Sequence, residues 1–587
     1  MTVIIDGTTG ISPVTASGTS ASVDGMTVGR GGGESVTNTT TGYVALASNS
    51  SGTQNSAFGN GASNSNTTGG NNTAIGYYAQ VFNTTGGNNT SLGVQALYSN
   101  TTASNNTAVG FQAGYANTTG TGIMFAGCQA GYNTTGSYST FVGFQAGKAN
   151  TSGENTAYGA NALLQNTTGT ANTALGGTTT SISGALASNT TGGSNVGIGV
   201  GALSANTTAS NNTALGYQAG YSNTTGRVNT FIGSEAGKFN TTGVDNVAIG
   251  NVALLFNTTG NYNVAVGGSI TGTSYGALGE NTTGSQNTAV GVAALENNTT
   301  ASQNTAVGYQ SQYSGQTTNY NTSVGYQSAY SLTSGDEITA IGYAALRVNT
   351  TGANNVAVGS NSLVANTTGA SNVAVGRQAL QANTTASNNT AVGYQSGKSL
   401  TTGANNTYLG YGSTNGNSTG SNNVCIGYDV NNSGQVSNTI TITTRGSGDK
   451  GTSTGFIDPN GGGVYQGNNS SSWSTTSDFR LKKNIVDNTE GLDIVSQIRV
   501  RNFEYRTAEE VTELPAHTVI EKTGVQLGVI AQELQEVCSD CVKEESTGVL
   551  SVDASNLTWH MINAIKDLKA LVDAQATEIT ALKAKVA

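Results

Sequence analysis

From Gly42 to Gly427 the chain repeats one pattern of apolar and polar positions, roughly N-x-(T/V)-A-(V/I/L)-G-x-x-(A/S)-x-x-x-N-T-T-G. Its glycine recurs over 22 intervals, 18 of them 17 residues long and two of them 16; the other two, before Gly199 and Gly291, are 23 and 24. The residue before the glycine is aliphatic, as at Ile75, Leu92, Val109, Ile249, Val266, Val307, Ile341 and Val375, and three residues after it comes a small one, such as Ala79, Ala96, Ala113, Ser328 or Ala379. Alternation about a central alanine suits a short strand. The NTTG and NTTAS segments supply turns, where Asn and Gly tolerate φ > 0 and hydroxyls cap backbone groups.

Seventeen residues are too few for a helix with a buried face, but they make a coil of two short strands and two turns. Stacked coils give a β-solenoid (β-roll) of about 23 coils, about 105 Å long at 4.8 Å per step. The aliphatic position is expected to form an internal ladder, and the small position to admit another layer or chain. The longer intervals, around Thr178–Thr191 and Ser269–Thr283, read as loops.

Composition divides the 587 residues into two regimes: 13 charged residues lie between Gly42 and Gly427, and 30 between Asp478 and Ala587. A net charge of −10 argues against nucleic-acid partners. No apolar run approaches the roughly 20 residues of a bilayer span, so no membrane insertion is expected. The start, MTVIIDGTTG, lacks the features of a secretory signal, which weighs against a secreted adhesin. Seven acidic residues, Glu154, Glu235, Asp245, Glu280, Glu296, Asp336 and Glu337, are scattered over different coils, and the histidines are His517 and His560, far downstream. A glycosidase needs two carboxylates about one bond, so no activity on an external substrate is expected. Tyr or Phe often follows the repeat glycine, as at Tyr77, Phe111, Phe144, Tyr217, Tyr309, Tyr326, Tyr343 and Tyr394, either as a packing ladder or as a sugar-stacking column. Cys538 and Cys541 form a CxxC with no second pair and no histidine near in sequence, which favours a structural role over a metal or redox one. No cofactor or metal is expected. In the last segment Ile565, Val572, Ile579 and Val586 fall seven apart, with Met561, Leu568, Gln575 and Leu582 on the alternate seam, a coiled-coil register with β-branched residues at a.

The repeat resembles the β-roll heads of trimeric autotransporter adhesins, in which three rolls pack around one axis, although its period is longer. From Ser477 onward the chain resembles the intramolecular chaperone domain at the ends of phage endosialidases, tail spikes and tail fibres. The matching segments are SDFRLKKNI (Ser477–Ile485), GLDIVSQIRVRNFEY (Gly491–Tyr505), GVIAQELQEV (Gly528–Val537) and LSVDASNL (Leu550–Leu557), with Ala554 standing where that family carries an aromatic residue. The resemblance implies a homotrimer whose chaperone is released by cleavage between Ser477 and Asp478, with Lys482 as the matching lysine; a desolvated lysine is a competent base.

The expected organisation is therefore an attachment segment (1–36), a solenoid shaft (37–430), a β-rich connector (431–476), a small α+β chaperone (477–557) and a trimeric coiled-coil helix (558–587). The resemblance implies a phage tail fibre, located on the virion and made in the host cytoplasm. Its expected partners are two further copies, other virion proteins at the N-terminus, and a host-surface glycan or protein receptor. A bacterial surface adhesin and an ice-binding solenoid are the alternatives.

Overall fold

The computed structural model describes residues 3–6, 10–13, 20–23, 26–32, 35–270, 274–414, 416–430, 435–444, 455–458, 464–466, 474–475, 477–507, 509–513, 520, 522–545 and 548–587. The chain forms two compact units, Met1–Thr476 and Ser477–Ala587.

In the first unit, consecutive strands from Thr39–Tyr43 to Gly455–Asp458 pair in parallel, each with the next in sequence. Register follows the repeat: Thr73 lies opposite Thr90, Ala74 opposite Ser91 and Ile75 opposite Leu92. It survives both long intervals, with Thr173 opposite Val196 and Val264 opposite Thr288. The ends of the stack are closed by antiparallel strands. Met26–Gly29 pairs with Thr39–Tyr43, and Val464–Gln466 pairs with Gly455–Asp458. An unpaired end rung would offer free N–H and C=O groups to another chain, and these strands cover that edge. Much of the expected attachment and connector segments lies outside the described residues.

Each regular coil holds one three-residue strand rather than two, the remainder being tight corners that bond to the neighbouring coil. The strand also faces the other way from the expected arrangement. Ala74, Ala108 and Ala248 at strand centres are fully buried, whereas Ile75 is 38% and Leu92 44% exposed. A three-residue strand turns both end residues to one side, and the narrow interior of a 17-residue coil accepts the alanine. The expected internal aliphatic ladder is therefore an external stripe. The small residues Ala79, Ala96 and Ala113, expected to admit another layer, point inward and are buried too.

The interior is completed by leucine four residues after the glycine (Leu97, Leu163, Leu203, Leu254) and by two columns of asparagine, all buried. In one column the Asn83 side-chain amide donates to Asn66 Oδ1 (2.8 Å) and to the Gly86 carbonyl (2.9 Å). In the other, the Asn72 backbone N–H donates to Asn55 Oδ1 (2.9 Å), while its side-chain amide donates to the same Gly86 carbonyl (2.9 Å). Buried amides are tolerable because their groups are paired in this way. Thr67 and Thr84 hydroxyls likewise donate to carbonyls one coil on (3.0 and 3.1 Å). The repeat glycine is required twice over: at Gly93 φ is +139°, and an added Cβ would lie 2.4 Å from the Gly110 carbonyl oxygen.

Where the strand centre is large, a neighbouring corner is small. Phe231 replaces the usual alanine, and the leucine position is glycine both in its own coil (Gly237) and in the one before (Gly220). A Cβ on Gly237 would lie 2.3 Å from the Phe231 ring. Phe125 stands in the same relation to Gly114 and Gly131.

The second unit contains helix α1 (Leu492–Val495), strand Arg501–Phe503 paired with Gln526–Gly528, helix α2 (Ala531–Val537), strand Val542–Glu544 paired with Leu550–Val552, and helix α3 (Ala554–Val586). Asp553 caps α3 by accepting from the Ser555 and Asn556 N–H groups. Leu534, Cys538, Cys541 and Val542 form the buried core, with Ile494, Ile498, Val529, Val537, Leu550, Val552 and Leu557 packed around it. From Leu571 onward every residue of α3 is exposed, including Val572, Ile579 and Leu582 of the heptad seam.

Two predictions follow from the shaft. Phe231→Ala leaves a cavity and is expected to cost about 3–5 kcal/mol in denaturant unfolding. Gly237→Leu alone is also destabilising, but in the Phe231→Ala background it restores part of the loss, because alanine with leucine is the packing of the other coils. The second concerns Glu296, buried with its Oε1 accepting from the Tyr275 N–H (2.9 Å). Burial, helped by the Glu280 charge and opposed by the Tyr275 N–H, pushes its carboxyl up to about 7 from 4.5. The folded chain then holds this proton more tightly than the unfolded one, so stability falls as pH rises from 4.5 through 7. Glu296→Gln should raise the thermal midpoint at pH 8 and leave it unchanged at pH 4.

Candidate processing site in the C-terminal unit

The segment Ser477–Lys482 is organised by a single turn. Asp478 caps the short 3-10 helix Phe479–Leu481, its Oδ1 accepting from the Arg480 N–H at 2.9 Å. The Arg480 guanidinium folds back on the same carboxylate, with Nε 3.0 Å from both oxygens. That pairing holds the Asp478 carboxyl below its ordinary range. The turn closes with the Lys482 N–H donating to the Phe479 carbonyl (3.1 Å), which carries the lysine side chain back over the start of the segment. There Lys482 Nζ donates to Ser477 Oγ at 2.7 Å. Of the three residues singled out by the sequence, Ser477 and Lys482 thus meet, while the Asp478 side chain is engaged by Arg480.

In the single chain this site is open to water. Ser477 and every residue from Phe479 to Glu490 are exposed, among them the apolar Phe479 (74%), Leu481 (75%), Ile485 (68%) and Val486 (84%). Further along the chain, Arg501 forks onto Glu533 (3.0 and 2.8 Å), tying the strand Arg501–Phe503 to α2.

Two runs of the aromatic residues after the repeat glycine are stacked along the shaft. Tyr309, Tyr326 and Tyr343 have successive ring centroids 5.3 Å apart and planes within 10°. Tyr394, Tyr411 and Tyr428 stack likewise at 5.2 and 5.1 Å, with planes within 13°. They pack as a ladder and still keep between 37% and 59% of their surface exposed. A second column, unsuspected from the sequence, stacks Tyr98, Tyr115 and Tyr132 at 4.7 and 4.9 Å.

Among the described residues, the one group of three or more histidine, cysteine and acidic side chains is Cys538, Asp540, Cys541 and His560. The histidine that the sequence does not place near the CxxC is supplied by the fold, which lays the first turns of α3 against the end of α2. The signal was a histidine 19 residues beyond the second cysteine, a spacing no metal motif prescribes. His517 lies outside the described residues.

No solved structure matches the chain. A family match begins at the serine that Lys482 contacts: residues 477–543 match the model of the Peptidase_S74 family, described as the chaperone of endosialidase.

Proposed function

We propose that the chain is a virion fibre of a phage, trimerised through its C-terminal unit and then processed at the Ser477–Asp478 bond. The observation that carries this reading is the family match beginning at Ser477, together with the Lys482 ammonium on the Ser477 hydroxyl. Net hydrolysis adds water across the bond: its oxygen joins the Ser477 carbonyl carbon, the C–N bond breaks and the Asp478 nitrogen takes up a proton. Ser477 Oγ attacking its own carbonyl carbon would close a four-membered ring, so Ser477 and Lys482 act in this scheme by delivering and accepting protons. Asp478, held ionised by Arg480, fixes the turn.

Association of chains is supported by two apolar surfaces that the single chain leaves uncovered. One is the outer stripe of the shaft, with Ile75, Leu92, Val109, Leu175, Leu215, Ile249, Ile341 and Leu409 each 37–46% exposed. Contiguous apolar surface on this scale marks an interaction site. The other is the heptad seam of α3. Three copies packed on these surfaces form the fibre, and burial of Phe479, Leu481, Ile485 and Val486 between chains would exclude water from the processing site. The shaft then projects to a host-surface glycan or protein, with the N-terminal segment on the particle.

The decisive comparison is the full chain against Ser477→Ala and Lys482→Met, by mass and by solution size. The unaltered chain should release a fragment spanning Asp478–Ala587, and each variant should lose at least about 100-fold in rate while remaining trimeric. An uncut unaltered chain, or unimpaired cutting in both variants, would sink the processing reading. Val307→Glu with Val375→Glu places charges on the outer stripe without touching the buried interior. These changes should lower trimer yield, and an unchanged yield would remove the stripe from the interface.

A further inference from the structure

The search for chemistry outside the processing site converges on the end of α2. Cys538 and Cys541 lie on the 3-10 turn Ser539–Cys541 and its cap, and His560 reaches them from α3; all three are buried (2%, 0% and 3% exposed). Asp540 closes the group from the solvent side. One donor atom from each of the four residues lies within 4.8 Å of all the others.

The hydrogen bonding of this group leaves it short of positive charge. His560 Nδ1 sits 3.0 Å from the Glu490 carbonyl oxygen, which can only accept, so Nδ1 carries a proton. His560 Nε2 then faces the Asp540 carboxylate at 3.1 and 3.2 Å, again an acceptor. Cys538 Sγ lies 3.2 Å from the same carboxylate. An imidazole lone pair, a sulfur and a carboxylate converging on one point need a cation between them, either a proton on Nε2 or a metal. The backbone holds the groups in place: Asn556 donates to the Asp540 carbonyl (2.7 Å), and the Asp553 N–H donates to the Cys541 carbonyl (2.7 Å).

We propose that, with both cysteines as thiols, Cys538, Cys541, His560 and Asp540 bind one zinc ion. Two thiolates and an imidazole select zinc over the hard oxygen-seeking cations. A tetrahedral ion with ligands at about 2.0–2.3 Å sets its donors roughly 3.3–3.8 Å apart; the His560 and Asp540 donors already lie near that spacing at 3.1 and 3.2 Å, and the two sulfurs separate to it once they are reduced. The His560–Glu490 hydrogen bond is the outer contact that orients a metal-binding imidazole and leaves Nε2 free. A cleft of about 270 Å³ lined by Asn488, Asp540, Asn556, Trp559, His560 and Asn563 gives the ion a way in. In the structure the two sulfurs are joined as a disulfide. A newly made chain carries thiols, and a thiol reductant returns the disulfide to them by supplying two electrons and two protons; zinc then displaces the thiol protons. The ion would clamp α3 to the end of α2 and to the Glu490 segment. Among the described residues the buried apolar cluster of this unit is four side chains, a small core of the kind to which a metal staple contributes most. None of this rests on the processing reading.

The test uses the full chain, reduced with dithiothreitol, loaded with zinc, dialysed and measured by elemental analysis and native mass. One zinc per chain is expected, with none retained by the disulfide form. Cys541→Ser and His560→Gln should each weaken retention by at least about tenfold. Cobalt(II) on the unaltered reduced chain should give the intense visible bands of a tetrahedral ion and a thiolate charge-transfer band, a readout that does not depend on whether the variants fold. Substoichiometric zinc on the reduced chain, retention unaffected by both substitutions, or an octahedral cobalt spectrum without the thiolate band would each overturn the assignment.

Discussion

The shaft depends on the need to pair every buried polar group between coils that are too thin to hide one. A 17-residue coil encloses little more than two alanines, a leucine and two asparagines, so hydrophobic burial per coil is small. The asparagine columns compensate by giving the interior a directional bond at each step. Asn66, Asn83 and Asn100 pass a side-chain hydrogen bond from coil to coil, while Asn55, Asn72 and Asn89 tie each side chain to the next backbone N–H. Removing one such amide strands its neighbours, and a buried unpaired polar group costs about 1–3 kcal/mol. The ladders also absorb the strain of the corners. Gln95 and Leu97, for example, both sit at positive φ (56° and 48°), a conformation that costs L-residues roughly 1 kcal/mol.

The solenoid class, its period and its register were legible because the repeat glycine is forced both by its φ and by the carbonyl packed against it. What the sequence concealed was the direction of the strand. Ile75 is a better core residue than Ala74 by any hydrophobic measure, yet size decides: the interior has room for a methyl group. The same blindness hid Leu97 and its equivalents, because a leucine in the left-handed region is not an expectation that propensity supplies. At the processing segment, the contact between Ser477 and Lys482 could be read from their spacing on a tight turn. The diversion of Asp478 to Arg480 could not, since it depends on where the 3-10 turn points one long side chain. His560 was missed for a different reason, because helix packing rather than spacing brings it to the cysteines.

The two units differ in what they leave open. The shaft satisfies its backbone internally and exposes a stripe of aliphatic and aromatic side chains. The second unit buries less: among the described residues its buried apolar cluster is four side chains, and its long helix is exposed from Leu571 to its end at Val586. Apolar surface of this kind is where another chain can pack, which is the physical ground for the assembly proposed above.

The bulky rings inside the shaft have one more consequence. Most coils are interchangeable, so a folding chain could skip one and close on the next with nearly the same energy. Phe125, Phe141, Phe231 and Tyr408 break that degeneracy, because each fits only where glycine replaces leucine beside it, at Gly114 and Gly131, Gly147, Gly220 and Gly237, and Gly397 respectively. A shift by one coil would drive an aromatic ring into a leucine. These few rungs act as numbered teeth in an otherwise uniform ratchet, giving a repetitive sequence a unique address at intervals along its length.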